Sequence, residues 1–199
     1  MPRTVDHQHR RTIVTRAAVY LLERGQVTVS LRELAAALGV SSRMLVHHFG
    51  SRQELVSCAL REARSRQREA FEARLAPQAG RTYAEVLLDA WRWLETEEAQ
   101  PYLRLFGQLQ ALAGAPRSPY VEFLRESVLD WLPTLETGFA ADGHDPATAR
   151  ELSTLSVAAI RGLLQDVNAT GEHQRVFAAF ERYTELLQHV PTRGATAPR

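Results

Sequence analysis

Apolar residues recur along this chain with the three- and four-residue spacing of helices, and the alternation typical of strands is nearly absent. The first apolar stripe extends from Ile13 to Leu21 and ends before Gly25. Ser30 is a good N-cap for the segment LRELAAAL, which stops at Gly39, because serine favours helix starts and glycine favours helix ends. With only two isoleucines and few β-branched clusters, the chain is predicted to be all-α.

Capping residues and prolines predict where the later helices begin. Ser51 with Glu54, and Thr82 with Glu85, have capping-box spacing, so helices should start directly after Ser51 and Thr82. Three prolines occupy positions typical of a first helical turn: Pro101, Pro119 and Pro146. The segment ATGEH at 169–173 separates the last two helices. This punctuation predicts about nine helices, with three short ones in the first fifty residues.

The length of 199 residues suits one large or two small domains, and the composition is that of a soluble protein. No apolar run approaches the roughly 18 residues that a membrane span needs, and the polar start MPRTVDHQHRR has no signal-peptide core. We therefore expect a cytoplasmic protein with no membrane partner. The single cysteine, Cys58, excludes an internal disulfide and is expected to be a small helix residue.

The net charge of +1 conceals an asymmetry between the two parts of the chain. Residues 1–68 contain 12 arginines and 5 acidic residues, a net charge of +7, whereas residues 69–199 contain 12 arginines and 18 acidic residues, a net charge of −6. A basic N-terminal third indicates contact with a polyanion. The charges by themselves also allow another interpretation, in which the basic residues are distributed by chance over solvated helix faces.

The stretch from Leu34 to Leu55, LAAALGVSSRMLVHHFGSRQEL, combines a short amphipathic helix with a second helix that is rich in polar side chains. If the second helix starts at Ser41, Leu45 and Phe49 lie on one side and join the first helix in a small core, since they are four residues apart. The opposite side presents Ser42, Arg43, Val46 and His47, flanked by Met44 and His48.

Two short helices joined by a tight turn at Gly39 have the length and spacing of a helix-turn-helix, whose second helix enters the major groove of DNA. Arginine can form two hydrogen bonds with guanine, serine and histidine can bond to base edges, and methionine or valine can contact a thymine methyl group. The polar side of the second helix is therefore predicted to bind double-stranded DNA.

From Ile13 to Leu55 the sequence resembles the N-terminal domain of the TetR family of transcriptional regulators. The matching residues are Ala17, Gly25, Ser30, Leu34, Ala35, Gly39, Val40, Ser41, Leu45, His47, His48, Phe49, Ser51, Arg52 and Leu55. The resemblance implies an all-α fold with a three-helix helix-turn-helix DNA-binding domain at 1–50 and a helical ligand-binding and dimerisation domain at 51–190. Residues 1–9 are expected to form an N-terminal arm, and 191–199 a disordered tail.

The recognition helix departs from the family pattern at three positions. Arg43 stands where a small residue is usual, Met44 where threonine or alanine is usual, and Val46 where a phosphate-binding tyrosine is usual. The operator sequence therefore cannot be transferred from relatives. Arg43 either reads base edges or replaces the missing tyrosine as a phosphate clamp.

The resemblance implies DNA-contacting positions for eight residues: Ser30, Arg32, Ser42, Arg43, Met44, His47, His48 and Arg52. Ser30 and Arg52 stand at helix starts and are expected to hold phosphates of the operator DNA. Three further arginines, Arg61, Arg64 and Arg68, recur at helical spacing, which favours a solvated face over DNA contact.

Aromatic and apolar residues beyond residue 80 lie on three consecutive predicted helices. A helix-bundle core accounts for most of them, and the resemblance implies that some line an inducer cavity. The predicted ligand-binding residues are Trp91, Leu94, Tyr102, Phe106, Leu109, Gln110, Phe123, Trp131 and Gln165, with Arg104 and Gln108 as further polar candidates. These side chains favour a small, largely apolar effector molecule.

The last two predicted helices have apolar stripes that could close the core of a single chain. The resemblance favours a different role, a two-fold four-helix interface between two copies, in which Gly162 and Ser156 permit close helix approach. The predicted interface residues are Leu152, Leu155, Ala159, Leu163, Phe177, Phe180, Thr184 and Leu187. We therefore expect a homodimer.

The sequence has no P-loop, dinucleotide fingerprint, nucleophile elbow or paired-carboxylate motif. His47 and His48 point roughly 100° apart on a helix, which makes a poor metal pair, so no metal or cofactor is expected. His7 and His9, in the predicted arm, suggest at most an adventitious metal site. The chain is predicted to be a ligand-responsive DNA-binding regulator, a repressor and not an enzyme. The alternative is a helical small-molecule-binding protein or enzyme with a non-functional helix-turn-helix head.

Overall fold

The computed structural model describes residues 2–115 and 118–192. Within these ranges all regular structure is helical and forms ten helices: α1 (Pro2–Arg24), α2 (Leu31–Leu38), α3 (Ser42–Phe49), α4 (Arg52–Glu72), α5 (Tyr83–Leu94), α6 (Gln100–Ala113), α7 (Val121–Leu129), α8 (Leu132–Ala141), α9 (Pro146–Thr170) and α10 (His173–Gln188). The all-α prediction is confirmed. Pro133 lies in the first turn of α8, where a missing backbone N–H costs no helical hydrogen bond, and α8 is thereby separate from α7.

Side-chain caps stand at the predicted helix starts. Ser30 accepts a hydrogen bond from the backbone N–H of Glu33 (3.1 Å), and the Glu33 carboxylate accepts one from the N–H of Ser30 (2.6 Å). The bond from the backbone N–H of Ser30, and then the Ser30 hydroxyl, hold the pKa of the Glu33 carboxyl below its usual value. Thr82 and Glu85 form the same capping box on α5, and α4 starts directly after Ser51.

Helix α1 is longer than the apolar stripe predicts. The stripe begins at Ile13, whereas the helix begins at Pro2 and includes residues 2–9 of the predicted arm. No glycine or proline interrupts 3–12, and proline suits the first helical position because its fixed φ angle is helical. Residues 193–199 of the predicted tail lie outside the described part of the chain.

The chain divides into two compact units. Unit 1 consists of Met1–Glu69 and Glu97–Leu112, and unit 2 consists of Ala70–Thr96 and Ala113–Arg199. Unit 1 therefore contains most of α4 and α6 in addition to the three helices of the predicted DNA-binding domain. This grouping differs from the predicted domain boundary at residue 50. The helix-turn-helix motif ends near that residue, whereas α4 and α6, which belong largely to the same unit, lie further along the chain.

Unit 1 has an apolar core to which α1, α2, α3 and α4 contribute. Its large side chains that expose 5% or less of their surface include Ile13, Leu21, Leu34, Leu38, Leu45, Phe49 and Leu55. Burying a side chain of this size stabilises a fold by about 1.5–3 kcal/mol. This core fixes the orientation of the short helices α2 and α3, which are too short to be stable alone.

Unit 2 contains α5, α7, α8, α9 and α10, with α5 packed on α10 and α8 packed on α9. The Trp91 and Phe180 rings stack with centroids 4.4 Å apart, and Phe180 has no exposed surface. A Cβ atom on Gly138 of α8 would lie 2.0 Å from the Tyr83 ring of α5, so only glycine permits this approach.

Four of the predicted interface residues belong to this core of a single chain: Leu152, Phe180, Thr184 and Leu187. Their assignment to a dimer interface stays a prediction, although they are already buried within one chain. The other interpretation of the terminal stripes, closure of the monomer core, accounts for these four residues. The remaining four, at 155, 159, 163 and 177, are exposed or half-buried.

Truncation of Phe180 tests its role in the core of the single chain. Phe180→Ala removes the ring that stacks on Trp91 and leaves a cavity, so the free energy of unfolding should fall by about 3–5 kcal/mol. Val121→Ala is the control in the same unit, because Val121 is 52% exposed and its truncation should change stability by about 0.5 kcal/mol or less. Urea denaturation at one protein concentration measures both variants. Equal, small losses would place Phe180 outside the core.

Candidate nucleic-acid interface

The turn between α2 and α3 is defined by two local features. Gly39 ends α2 with φ +67°, a left-handed conformation that glycine adopts without strain. Ser41 then caps α3 by accepting a hydrogen bond from the backbone N–H of Met44 at 3.1 Å. The two eight-residue helices and their short connection form a helix-turn-helix.

Helix α3 has one buried side and one exposed side. Leu45 and Phe49 expose 1% and 5% of their surfaces and lie in the core of unit 1. On the opposite side Arg43, Val46 and His47 are exposed, and Val46 exposes 45% of its surface. Ser42, Met44 and His48 are half-buried along the edges of that side. The exposed side therefore combines a cation, an imidazole and an apolar group, which suits the mixed chemistry of the major groove.

Arg52, predicted to hold a phosphate, makes internal contacts at the start of α4. One guanidinium nitrogen, Nη1, donates hydrogen bonds to the carbonyl oxygens of Val27 (3.2 Å) and Val29 (2.9 Å). These carbonyls lie in the loop between α1 and α2, where no helical backbone N–H donates to them. Arg52 therefore stabilises this loop, and a phosphate contact of its remaining donors stays a prediction.

A residue of α6 binds the same loop. The backbone N–H of Val27 donates a hydrogen bond of 2.6 Å to Oε1 of Gln108. At the start of the loop, Gly25 has φ +63°, and a Cβ atom there would lie 3.1 Å from Cβ of Arg104. Gln108, predicted as a polar group of a ligand cavity, instead holds the segment that leads into the helix-turn-helix. Sequence spacing gives no signal for this contact, since 81 residues separate its partners.

The remaining predicted DNA-contacting residues lie on the surface of unit 1. Ser30 and Arg32, at the start of α2, are exposed. The exposed His9 ring of α1, absent from the predicted set, lies 5.7 Å from the ring of His48, and the His47 and His48 rings are 5.2 Å apart. The sequence contains no direct signal that His9 lies near His48, because the apolar stripe of α1 begins only at Ile13.

The predicted ligand-binding residues divide between the two units. Tyr102, Phe106, Leu109 and Gln110 belong to unit 1, whereas Trp91, Leu94, Phe123, Trp131 and Gln165 belong to unit 2. Trp91 is 2% exposed, and its indole N–H has no hydrogen-bond partner among the described residues. An unpaired buried donor is costly, which makes this N–H a candidate contact for an acceptor atom of a ligand. Gln165 is exposed.

Unit 2 also has an open groove of about 540 Å³, to which Arg81, Phe139, His144 and Leu187 contribute. No residue that lines this groove is among the predicted ligand-binding residues. In the described ranges, no group of three or more His, Cys, Asp or Glu residues could hold a metal ion. No helix in the same ranges is long and apolar enough to cross a membrane.

The exposed apolar side chains of the last two helices differ from the predicted set. Leu155 of α9 and Leu186 of α10 expose 57% and 62% of their surfaces. Gly162, also exposed, lies on α9 two turns after Leu155. Leu155 belongs to the predicted interface, whereas Leu186 does not, because the buried stripe of α10 has the same apolar character in the sequence.

Comparisons with known proteins agree with this geometry. Residues 13–58 match the family model for bacterial regulatory proteins of the tetR family. No curated protein sequence matches the chain. A transcriptional regulator from Rhodococcus sp. Rha1 has a similar structure, with a TM-score of 0.71 at 21% identity, over 92% of this chain and 99% of that one. A TetR-family transcriptional regulator from Pectobacterium atrosepticum has a TM-score of 0.68 at 19% identity, over 96% and 99% of the two chains.

The contact of Arg52 with the loop leads to a stability prediction. Arg52→Met keeps most of the side-chain length but leaves the carbonyls of Val27 and Val29 without their donor, so the free energy of unfolding should fall by about 1–3 kcal/mol. Arg61→Met is the matched control, because the Arg61 side chain is 60% exposed and its ion pair with Glu54 should contribute about 1 kcal/mol or less. Chemical denaturation compares the two. A loss for Arg52→Met no larger than that of the control would contradict the structural role.

Proposed function

We propose that this chain, whose residues 13–58 match the family model for bacterial regulatory proteins of the tetR family, is a homodimeric transcriptional repressor that a small molecule releases from operator DNA. The observation that carries the proposal is the exposed side of α3, where Arg43, Val46 and His47 face away from the core. A helix-turn-helix places this side against base edges in the major groove. The net charge of +7 on residues 1–68 attracts the phosphate backbone.

Two kinds of contact are expected between the head and DNA. Arg43, Met44 and His47 are assigned to base edges, and Ser42 and His48 to the margins of the groove. Ser30 and Arg32, exposed at the N-terminal end of α2, are assigned to phosphates, since backbone N–H groups and the helix dipole favour an anion there. The Arg52 phosphate contact is assigned only to donors other than Nη1, which is held by the loop carbonyls.

Binding of the DNA flanking the chain's own gene tests the proposed function. Fluorescence anisotropy with labelled duplexes should give specific dissociation constants of about 10⁻⁸ M or lower, and affinity should fall steeply with added salt. A scrambled duplex of the same length is the control. Equal, weak binding of both duplexes, in the range of about 10⁻⁴–10⁻⁶ M, would favour the rival function, a small-molecule-binding protein whose head does not read DNA.

Arg43 is the residue for which base reading and phosphate binding make different predictions. Arg43→Ala should cost about 1–3 kcal/mol per half-site and relax the preference at one base position, because a bidentate contact with guanine is lost. Binding-site selection from random duplexes measures the preference, and Arg61→Ala on α4 is the control. An unchanged base preference with a shallower salt dependence would instead make Arg43 a phosphate clamp.

The proposed dimer uses the exposed apolar side chains of α9 and α10. Leu155 and Leu186 are among the six large hydrophobic side chains that the described part of the chain exposes. Exposed apolar surface on a paired set of long helices is typical of a two-fold helical interface. Ala159 and Gly162 supply small side chains on α9 that permit close helix approach between two copies.

Charge substitutions at this surface test the dimer. Leu155→Glu and Leu186→Glu should each give monomers in sedimentation velocity and a large loss of operator affinity, because a monomer reads one half-site only. Leu129→Glu is the control, since Leu129 is 43% exposed on α7. Dimers that persist in both α9 and α10 variants would place the interface elsewhere.

The effector is proposed to be small and largely apolar. The aromatic residues of unit 2 include Trp91, Phe123 and Trp131, and the unpaired indole N–H of Trp91 would bond an acceptor atom of the bound molecule. Effector and operator binding are coupled, so each should weaken the other by the same factor. The contacts of Gln108 and Arg104 with the loop before α2 make α6 a candidate element for this coupling.

A further inference from the structure

One side chain on the exposed side of α3 is apolar. Val46 exposes 45% of its surface and is one of six large hydrophobic side chains that the described part of the chain exposes. A single exposed valine is ordinary on a protein surface. Val46, however, lies on the side of α3 that the proposed function places in the major groove, so bound DNA would cover it. The group that covers it determines whether Val46 contributes to the choice of operator.

Valine can make favourable contacts only with apolar parts of DNA, because its side chain has no hydrogen-bond donor or acceptor. Against a phosphate oxygen it would remove water from the charge and supply no bond in return, which is unfavourable. The 5-methyl group of thymine is the apolar group on the major-groove edges of the bases. This methyl group lies towards the backbone of the thymine's own strand, where a side chain beside the centre of a recognition helix can contact it.

Val46 lies next to Arg43 on the exposed side of α3. At about 100° per residue, a separation of three residues places them about 60° apart around the helix axis, with Val46 on the side away from His47. Their Cβ atoms are about 5–6 Å apart at this spacing, whereas successive base pairs are about 3.4 Å apart. The two side chains therefore reach positions about one or two base pairs apart.

The residues one helical turn before and after Val46 leave room for DNA. Ser42 stands four residues before it, and Gly50 four residues after it. A Cβ atom at Gly50 would meet nothing beyond its chain neighbours within 4 Å, so the surface at this end of α3 is open. Because both of these neighbours are small, neither holds the groove away from a side chain as short as valine.

We propose that Val46 contacts the 5-methyl group of a thymine in each operator half-site, about one or two base pairs from the position that Arg43 contacts. The inference rests on the proposed function and adds a base preference to it. A thymine at this position is favoured because its methyl group and the valine side chain are both removed from water when the complex forms. Cytosine, which lacks the methyl group, would leave that apolar contact unmade.

Replacement of thymine by uracil tests the proposal, because uracil keeps the base pair and lacks only the 5-methyl group. Each thymine of the operator obtained by binding-site selection is replaced in turn, at symmetric positions of both half-sites, and fluorescence anisotropy measures the affinity. At one position the replacement should weaken wild-type binding about fourfold per half-site, the factor expected for burial of one methyl-sized group. Val46→Ala should weaken binding of the unmodified operator by a similar factor, and the same uracil should then have no further effect.

Val121→Ala is the matched control, because Val121 is 52% exposed on α7 of unit 2. This variant should bind the operator as the wild type does and keep the full effect of uracil. Since Val46 is also exposed, Val46→Ala should fold as the wild type does, which thermal unfolding of the free protein measures.

The outcomes distinguish this inference from the function on which it rests. A uracil effect that persists undiminished in Val46→Ala would assign the methyl contact to another side chain, such as Met44, and overturn the inference. Specific binding without a uracil effect at any position would also overturn it, and an equal loss for all duplexes in Val46→Ala would then place Val46 against the sugar–phosphate backbone. Absence of specific binding by the wild type would overturn the proposed function and this inference together. The expected result is one uracil-sensitive position per half-site that Val46→Ala alone makes insensitive.

Discussion

Leu45 and Phe49 can both be buried against the core of unit 1 in only one rotational setting of α3, and that setting turns Arg43, Val46 and His47 outward. Two apolar side chains four residues apart fix the helix about its axis because neighbouring positions are about 100° apart. The cap at Ser41 fixes where the helix begins. The chemical character of the exposed side therefore follows from burial on the opposite side.

Polar contacts of the backbone position this head within unit 1. In the loop between α1 and α2, the backbone N–H of Val27 donates a hydrogen bond to Gln108, and the Val27 carbonyl accepts one from Arg52. Buried backbone groups without partners are costly, so both side chains are held to these positions by the loop. Neither residue is therefore fully available for the ligand or the phosphate that their sequence positions suggest.

Local chemistry made much of the fold and the α3 surface predictable, whereas contacts between distant segments were not. Capping residues such as Ser30 and Thr82 predict helix starts because both bonding partners lie within three residues. The burial of Phe180 within one chain was not predicted, because an apolar stripe on α10 has the same spacing whether it faces its own chain or another copy. The N-terminal extent of α1 was not predicted, because the helix continues beyond its apolar stripe, where periodicity gives no signal.

The most direct measurement of the central claim, that the exposed side of α3 reads the major groove as part of a dimer, is methylation protection with dimethyl sulfate. The reagent attacks guanine N7 in the major groove and adenine N3 in the minor groove. Bound protein should protect guanine N7 in two patches roughly 34–36 Å apart along one face of the operator, or a multiple of that distance, and Arg43→Ala should expose the same guanine in each patch. Protection of adenine N3 alone, or of a single patch, would contradict the claim.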